Sequence, residues 1–188
     1  MRTQDGRSDK ELVEACNVGD ANEAAAAFDI LYHRHKDYVI RVASRFVRDS
    51  DAALDVLQES FIYLLRRFPP SGQGITLSAQ LTTLLYPVAK NLAISHLRKS
   101  SRFDDAEGTD PDALPGPTVE FADDAIWKEL GILSNDHREI VLLRYVDDMS
   151  LQDIAAALNI PLGTVKSRLH LALKHLRNSP YVKEKFAP

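Results

Sequence analysis

Residues 150–177 read SLQDIAAALNIPLGTVKSRLHLALKHLR. Ser150, with Asp153 three places on, has the form of a capping box that opens a helix of two turns. Ala155, Ala156 and Ala157 keep that helix slim enough for another helix to approach closely. It stops near Asn159-Ile160, because Pro161 cannot continue a helix and suits the first turn of the next. Over 162–177, Val165, Leu169, Ala172 and Leu176 fall within about 60° of arc on a helical wheel. Gly163, Ser167, His170 and Lys174 lie opposite, with Lys166 and Arg177 on one flank and Thr164 and Arg168 on the other. A helix, a tight turn and a second helix that is polar and basic outside make the helix-turn-helix plan. The alternative is a helical hairpin whose polar face merely meets water.

The second helix has the chemistry for a major groove. Gly163, Thr164 and Ser167 are short, so the backbone near its start can come close to DNA. The positive end of the helix favours phosphate. Lys166, Arg168 and His170 can reach base edges or the flanking backbone. From Pro161 onward there are six Lys and Arg against one Glu.

Upstream, residues 104–124, DDAEGTDPDALPGPTVEFADD, hold eight acidic residues, no basic one, three prolines and two glycines. With no helical or strand period before Val119, the stretch reads as a flexible, self-repelling linker. The expected organisation is a unit at 8–103, a linker at 104–122 and a second unit at 123–180. Both units are small, so each must be compact and helical or lean on a partner. Periodicity predicts helices over Asp9–Val18 (with Ser8 and Glu11 as a capping box), Ala21–Val47, a helix capped by Ser50 or Asp51 and running to Arg67, and Leu81–Arg102. Beyond the linker it predicts helices over Asp123–Leu130, Asp136–Val146, Leu151–Leu158 and Leu162–Arg177. In the third helix Leu54, Leu57, Phe61 and Leu64 or Leu65 share a face. Pro87 is expected to kink or interrupt the fourth. No stretch alternates long enough for a strand, so the fold class is all-α: two small helical domains, the second a helix-turn-helix.

The chain has 188 residues, 45% of them apolar and 27% charged, which marks a folded soluble protein. A single cysteine, Cys16, excludes an internal disulfide framework and cysteine-rich zinc modules. There is no secretory leader and no apolar run long enough to span a bilayer, so the expectation is cytoplasmic, without membrane insertion. The net charge of -4 argues against a DNA partner only until it is placed on the chain. Outside 104–124 there are 23 basic and 19 acidic side chains.

Asn135–Arg177 resembles the promoter-binding C-terminal domain of bacterial sigma factors of the extracytoplasmic-function group. The resemblance is carried by the helix with Arg138, by Leu143-Arg144-Tyr145, by the Ser150–Ala155 run, and above all by Ile160-Pro161-Leu162-Gly163-Thr164-Val165-Lys166-Ser167-Arg168-Leu169. Ala27–Phe46 resembles the opening helix of the family's core domain. Asp55-Val56-Leu57-Gln58-Glu59-Ser60-Phe61 resembles its polymerase-binding stretch. Leu81–Arg102, with Val88-Ala89-Lys90-Asn91-Leu92-Ala93-Ile94 and Leu97-Arg98-Lys99, resembles the segment that melts and reads the element near minus ten.

The resemblance implies a non-catalytic initiation factor that binds core RNA polymerase through its beta-prime and beta subunits, directs it to promoter DNA and helps open the duplex. Asp55, Gln58 and Glu59 would face polymerase. Lys90, Asn91, Arg98, Lys99 and Arg102 would hold the separated strand, with the base pocket in the loop 68–80. Gly163, Thr164, Lys166, Ser167, Arg168, His170 and Lys174 would read the element near minus thirty-five, with Arg138 and Arg144 as phosphate contacts. An anti-sigma factor is the further partner implied. Leu84, Pro87, Ser95 and Leu54 depart from the family's usual tryptophan, basic residue, aspartate and glutamate, which leaves the downstream sequence preference open.

Nothing in the sequence points to an enzyme. His33 and His35, two apart, project about 200° from each other on a helix and make a poor metal pair; His170 and His175 are no better. No Gly-rich phosphate loop or two-metal carboxylate cluster is present, so no cofactor or metal is expected, and Cys16 reads as a buried small side chain. Two readings from other classes stand beside the sigma reading: a helix-turn-helix regulator that never joins polymerase, and a sigma-like adaptor that sequesters a regulator.

Overall fold

The computed structural model describes residues 5–47, 49–103 and 130–178, with the side chains of 100–103 excepted. The expected linker, and the helix expected over 123–130 apart from Leu130, lie outside these residues. Among the described residues there are seven helices and no strand: α1 (Asp9–Val18), α2 (Ala21–Ala43), α3 (Ser50–Leu65), α4 (Leu81–Phe103), α5 (Asn135–Tyr145), α6 (Leu151–Leu158) and α7 (Leu162–Asn178).

The first four form one unit, and local chemistry sets most of their ends. Ser8 and Glu11 close a reciprocal capping box on α1. Asp20 accepts from the Asn22 and Glu23 amides at the start of α2. The cap of α3 is Asp49, which accepts from Ala52 N, one place before the expected Ser50 or Asp51. Helix α2 ends four residues short of the predicted Val47. Arg45 N and Phe46 N there bond three residues back, to Val42 and Ala43. That tighter turn tucks Phe46 and Val47 into the core. Leu12, Leu31, Val39, Val56, Leu64, Leu81 and Leu85 are fully buried or nearly so. Phe28, Tyr32, Phe61 and Phe68 meet edge to face. Asp9 ties the first turn of α1 to α2, accepting from Arg34 at 2.6 Å and pairing with His35 at 2.7 Å.

The interruption expected at Pro87 is absent: α4 runs unbroken from Leu81 to Phe103. A proline inside a helix costs about 3 kcal/mol or more through a lost hydrogen bond and ring crowding. Against that, Leu81, Leu85, Tyr86, Ala89 and Ala93 all bury on the same side of the helix, which holds it in register through the proline.

The last three helices form the second unit. Ser150 accepts from Asp153 N and donates to Asp153 Oδ2 at 2.6 Å. Asn159 ends α6 in the left-handed conformation, φ 52°, and the Ile160 amide returns to Ala155 O, which makes the tight turn into α7. Leu130, Leu133, Val141, Leu142 and Ala172 form a small core of this unit's own. Its other apolar face, from Ile140, Leu143, Met149, Ile154, Ala157 and Val165, merges with the core of the first unit.

Candidate nucleic-acid interface

Helix α7 turns the face the sequence predicts outward. Val165 and Ala172 are buried, while Gly163, Lys166, Ser167, His170 and Lys174 are exposed and Thr164 and Arg168 are half-buried. A Cβ added at Gly163 would meet nothing within 4 Å. The protein's own packing therefore does not require a glycine there. Ser167 Oγ bonds back to Gly163 O and Thr164 O, which keeps the hydroxyl against the helix and the surface flat. Arg168 pairs with Asp136 at 2.6 Å. Both side chains touch solvent, so the pair is weak and exchangeable for phosphate.

The two arginines expected at phosphates have partners within the protein. Arg138 donates from Nε to Leu130 O and from Nη2 to Gly131 O and Leu133 O. Arg144 donates to Met149 O at 3.0 Å and lies 3.9 Å from Asp148. Both guanidiniums brace the chain at the two ends of α5.

On α3, Asp55, Gln58 and Glu59 are exposed, with Glu59 3.1 Å from His96 of α4. Leu54 and Leu65, which the sequence pattern allows on the inward face, are instead 45% and 52% exposed, as is Ile62 at 46%. Of the residues expected to share the inward face, Leu57, Phe61 and Leu64 are buried, and Ala53 and Val56 are buried beside them. Leu54, Gln58, Ile62 and Leu65 stand at helical spacings of four, four and three, so they form one stripe. Bordered by the Asp55 and Glu59 carboxylates, this stripe makes the exposed face of α3 more apolar than the three polar residues named from the sequence imply. Counting leucines could not reveal it, because α3 is apolar on both sides.

Along α4, Asn91, Arg98 and Lys99 are exposed; the side chain of Arg102 lies outside the described ones. Asn91 lines a surface cavity of about 320 Å³ with Tyr63, Leu84, Pro87, Val88 and Leu92. Lys90 is not on that open surface. Its ammonium is 2.5 Å from Glu139 of α5, which also accepts from Tyr86 Oη at 2.5 Å. Burial first, and then the facing carboxylate, raises the Tyr86 phenol well above its usual range, so it remains a donor to Glu139.

Between α3 and α4 runs the loop 66–80. Asn17, at the end of α1, grips it with both ends of its amide: Nδ2 donates to Ile75 O and Oδ1 accepts from Ile75 N. Gly74 beside it has φ 90°, and a Cβ there would come 2.7 Å from Asn17 Oδ1, so the position admits glycine alone. Sequence reasoning missed Asn17. An asparagine near a helix end reads as a cap, and only a contact spanning 58 residues reveals its partner.

Elsewhere the structure offers little chemistry. Among the described residues no group of three His, Cys, Asp or Glu could hold a metal, and no helix is long and apolar enough to cross a membrane. Cys16 is buried, and burial pushes its thiol up to about 11, the opposite of an activated thiolate.

Comparison with known proteins agrees with this layout. Residues 31–103 match the Sigma-70 region 2 family model, and residues 123–176 match the Sigma-70 region 4 model. The extracytoplasmic-function (ECF) RNA polymerase sigma factor SigL of Mycobacterium tuberculosis is 35% identical over 167 residues, covering 85% of this chain and 92% of that protein. The RNA polymerase sigma-H factor of Pseudomonas aeruginosa is 31% identical over 188 residues, covering 92% of each. Among solved structures, CnrH in complex with the cytosolic domain of CnrY shares the fold with a TM-score of 0.62 at 20% identity, over 90% of this chain and 95% of that one. The sigma factor RpoE of Bartonella quintana, in complex with the anti-sigma factor NepR, has a TM-score of 0.58 at 23% identity, over 80% and 94%.

Proposed function

The chain belongs to the ECF group of RNA polymerase sigma factors, a non-enzymatic class that directs promoter-specific transcription, and we propose how its surfaces divide that work. The unit at 8–103 binds core polymerase through α3 and holds the melted strand along α4; the unit at 123–180 reads the upstream element through α7. The observation that carries this is the pairing, in one chain, of an exposed acidic-apolar face on α3 with an outward basic face on α7. A stand-alone repressor needs only the second.

In this reading Asp55, Gln58 and Glu59 set register and association rate against a basic surface of polymerase, while Leu54, Ile62 and Leu65 supply the burial. Gly163, Thr164, Lys166, Ser167, Arg168, His170 and Lys174 meet the major groove. Arg138 and Arg144 shape the ends of α5 beside the DNA backbone and lend it their charge. Lys90, Asn91, Arg98, Lys99 and Arg102 follow the phosphates of the single strand. The loop 68–80, pinned by Asn17, and the cavity at Asn91 border the path of its unstacked bases. Unstacking costs a few kcal/mol per base, so a loop already held in shape lowers what binding must offset. The structural likeness to a sigma factor seen with an anti-sigma factor supports regulation by such a partner, and the protein acts in the cytoplasm, where polymerase is.

Reconstituted transcription tests the division of labour. With core polymerase the protein initiates from a library of two-element promoter fragments, and alone it binds them weakly. Tight sequence-specific binding without polymerase, and no transcript with it, would replace this reading by that of a stand-alone regulator.

A further inference from the structure

The first half of α2, the end of α3 and the start of the loop after it enclose an apolar cavity of about 510 Å³. Cys16 and Phe68 are buried and form its floor, while Ala25, Asp29, Leu65 and Pro69 are exposed and form its rim. Ala21, Ala24 and Ala25 line it from α2, where a larger side chain would fill the space. The aromatic walls are held in place. Phe28 meets Phe61 and Phe68 edge to face, with centroids 6.1 and 6.2 Å apart, and Tyr32 meets Phe61 at 4.9 Å. Rings fixed in this way offer a surface already ordered for a ligand.

Among the described residues that line the cavity, Asp29 alone is charged. His33 shares its Nδ1 between the Asp29 carbonyl at 2.9 Å and the Asp29 carboxylate at 3.3 Å, so the carboxylate is only partly engaged. The floor is neutral: Cys16 Sγ donates to Ala24 O at 3.6 Å, and burial keeps the thiol protonated. Arg67, one place before Phe68, is stacked on the Tyr63 ring at 4.6 Å and does not fill the site. Cavities of roughly 300–1,000 Å³ suit small molecules, and aromatic walls beside a carboxylate suit a cation. An anion would face Asp29. A sugar or nucleotide would leave its polar groups unpaired against Phe28, Phe68 and Pro69.

We infer that this cavity binds a small hydrophobic cation, an arylalkyl amine or quaternary ammonium, with its apolar body against Phe28 and Phe68 and its charge toward Asp29 and Tyr32, and that the ligand steadies the loop 66–80. Phe68, Pro69 and Pro70 belong to the first part of that loop and line the cavity. Asn17, the residue after Cys16, holds the same loop at Ile75. A ligand seated between Cys16 and Phe68 therefore touches the loop near both of its attachments, and binding stabilises the state it fits. The site stands on the cavity alone, whichever way the polymerase and promoter surfaces divide their work.

The test uses the full chain and two probes that share a phenyl ring, benzyltrimethylammonium and phenylacetate, followed by ligand-detected NMR. The cation should bind saturably and about fivefold or more tighter than the anion. Asp29→Asn, at an exposed position, should remove that preference. Ala25→Trp fills the cavity from its rim and should abolish binding of the cation while the thermal transition is kept. If Ala25→Trp does not fold, the response to Asp29→Asn decides. Hydrogen exchange at the Ile75 amide should slow when the cation is bound. No saturable binding, equal binding of the two probes, or undiminished binding to folded Ala25→Trp overturns the site. Unchanged exchange at Ile75 overturns its link to the loop. Displacement of the bound cation by core polymerase would give the cavity to the polymerase contact instead.

Discussion

At the scale of single residues, placement matters more than type. Asn17 is one amide among many polar side chains, yet both its hydrogen bonds go to Ile75 in the loop between α3 and α4, which the proposed function sets beside the melted strand. A net hydrogen bond is worth about 0.5–1.5 kcal/mol, so Asn17→Ala should lower unfolding free energy by about 1–3 kcal/mol in chemical denaturation. Its larger effect should be on melting. Permanganate footprinting of the downstream element should weaken, while binding to the upstream element is unchanged. Equal loss at both elements would make Asn17 a fold residue only. Gly163 shows the reverse case. With nothing near its missing side chain, Gly163→Ala should raise stability by about 0.5–1 kcal/mol through helix propensity and yet reduce upstream-element affinity several-fold. Unchanged affinity would remove Gly163 from the DNA face.

At the scale of elements, α3 and α4 each carry two faces of opposite purpose. Helix α3 buries Val56, Leu57, Phe61 and Leu64 and leaves Leu54, Ile62 and Leu65 uncovered beside Asp55 and Glu59. Asp55→Lys with Glu59→Lys should therefore weaken co-purification with core polymerase about tenfold or more while the thermal transition stays within a few degrees, because neither carboxylate is buried. Co-purification at the original level would move the polymerase contact elsewhere. Helix α4 shows a limit of propensity reasoning. Pro87 argues for a break, and a continuous row of buried side chains on both sides of it prevails.

At the scale of the whole molecule, the question is what holds two small units together. Arg45 and Asp147 supply geometry, and the shared apolar core supplies burial. Asp147→Ala alone strands a buried guanidinium, a change that costs about 3–5 kcal/mol in comparable buried pairs. It should open the free protein, seen as a larger radius of gyration in small-angle scattering. Arg45→Met combined with Asp147→Leu removes both charges and keeps the volume filled, so that variant should remain as compact as the original. If Asp147→Ala is equally compact, the pair is not what fixes the docking.

The sequence by itself determined the all-α class, the bounds of α1 and α6 and the outward row of α7. These follow from capping boxes, a turn proline and 3.6-residue periodicity, all of which act over a few residues. It also placed the acidic segment at 104–124, where charge and proline content can be read directly. It did not reveal that Lys90 is spent on Glu139, that Asn17 holds Ile75, or that Arg138 and Arg144 brace backbone carbonyls. Nor did it show which leucines of α3 face out. Those outcomes belong to tertiary structure. A side chain's partner is chosen by what folding brings within about 3 Å of it, and the chain positions involved lie 5 to 58 residues apart.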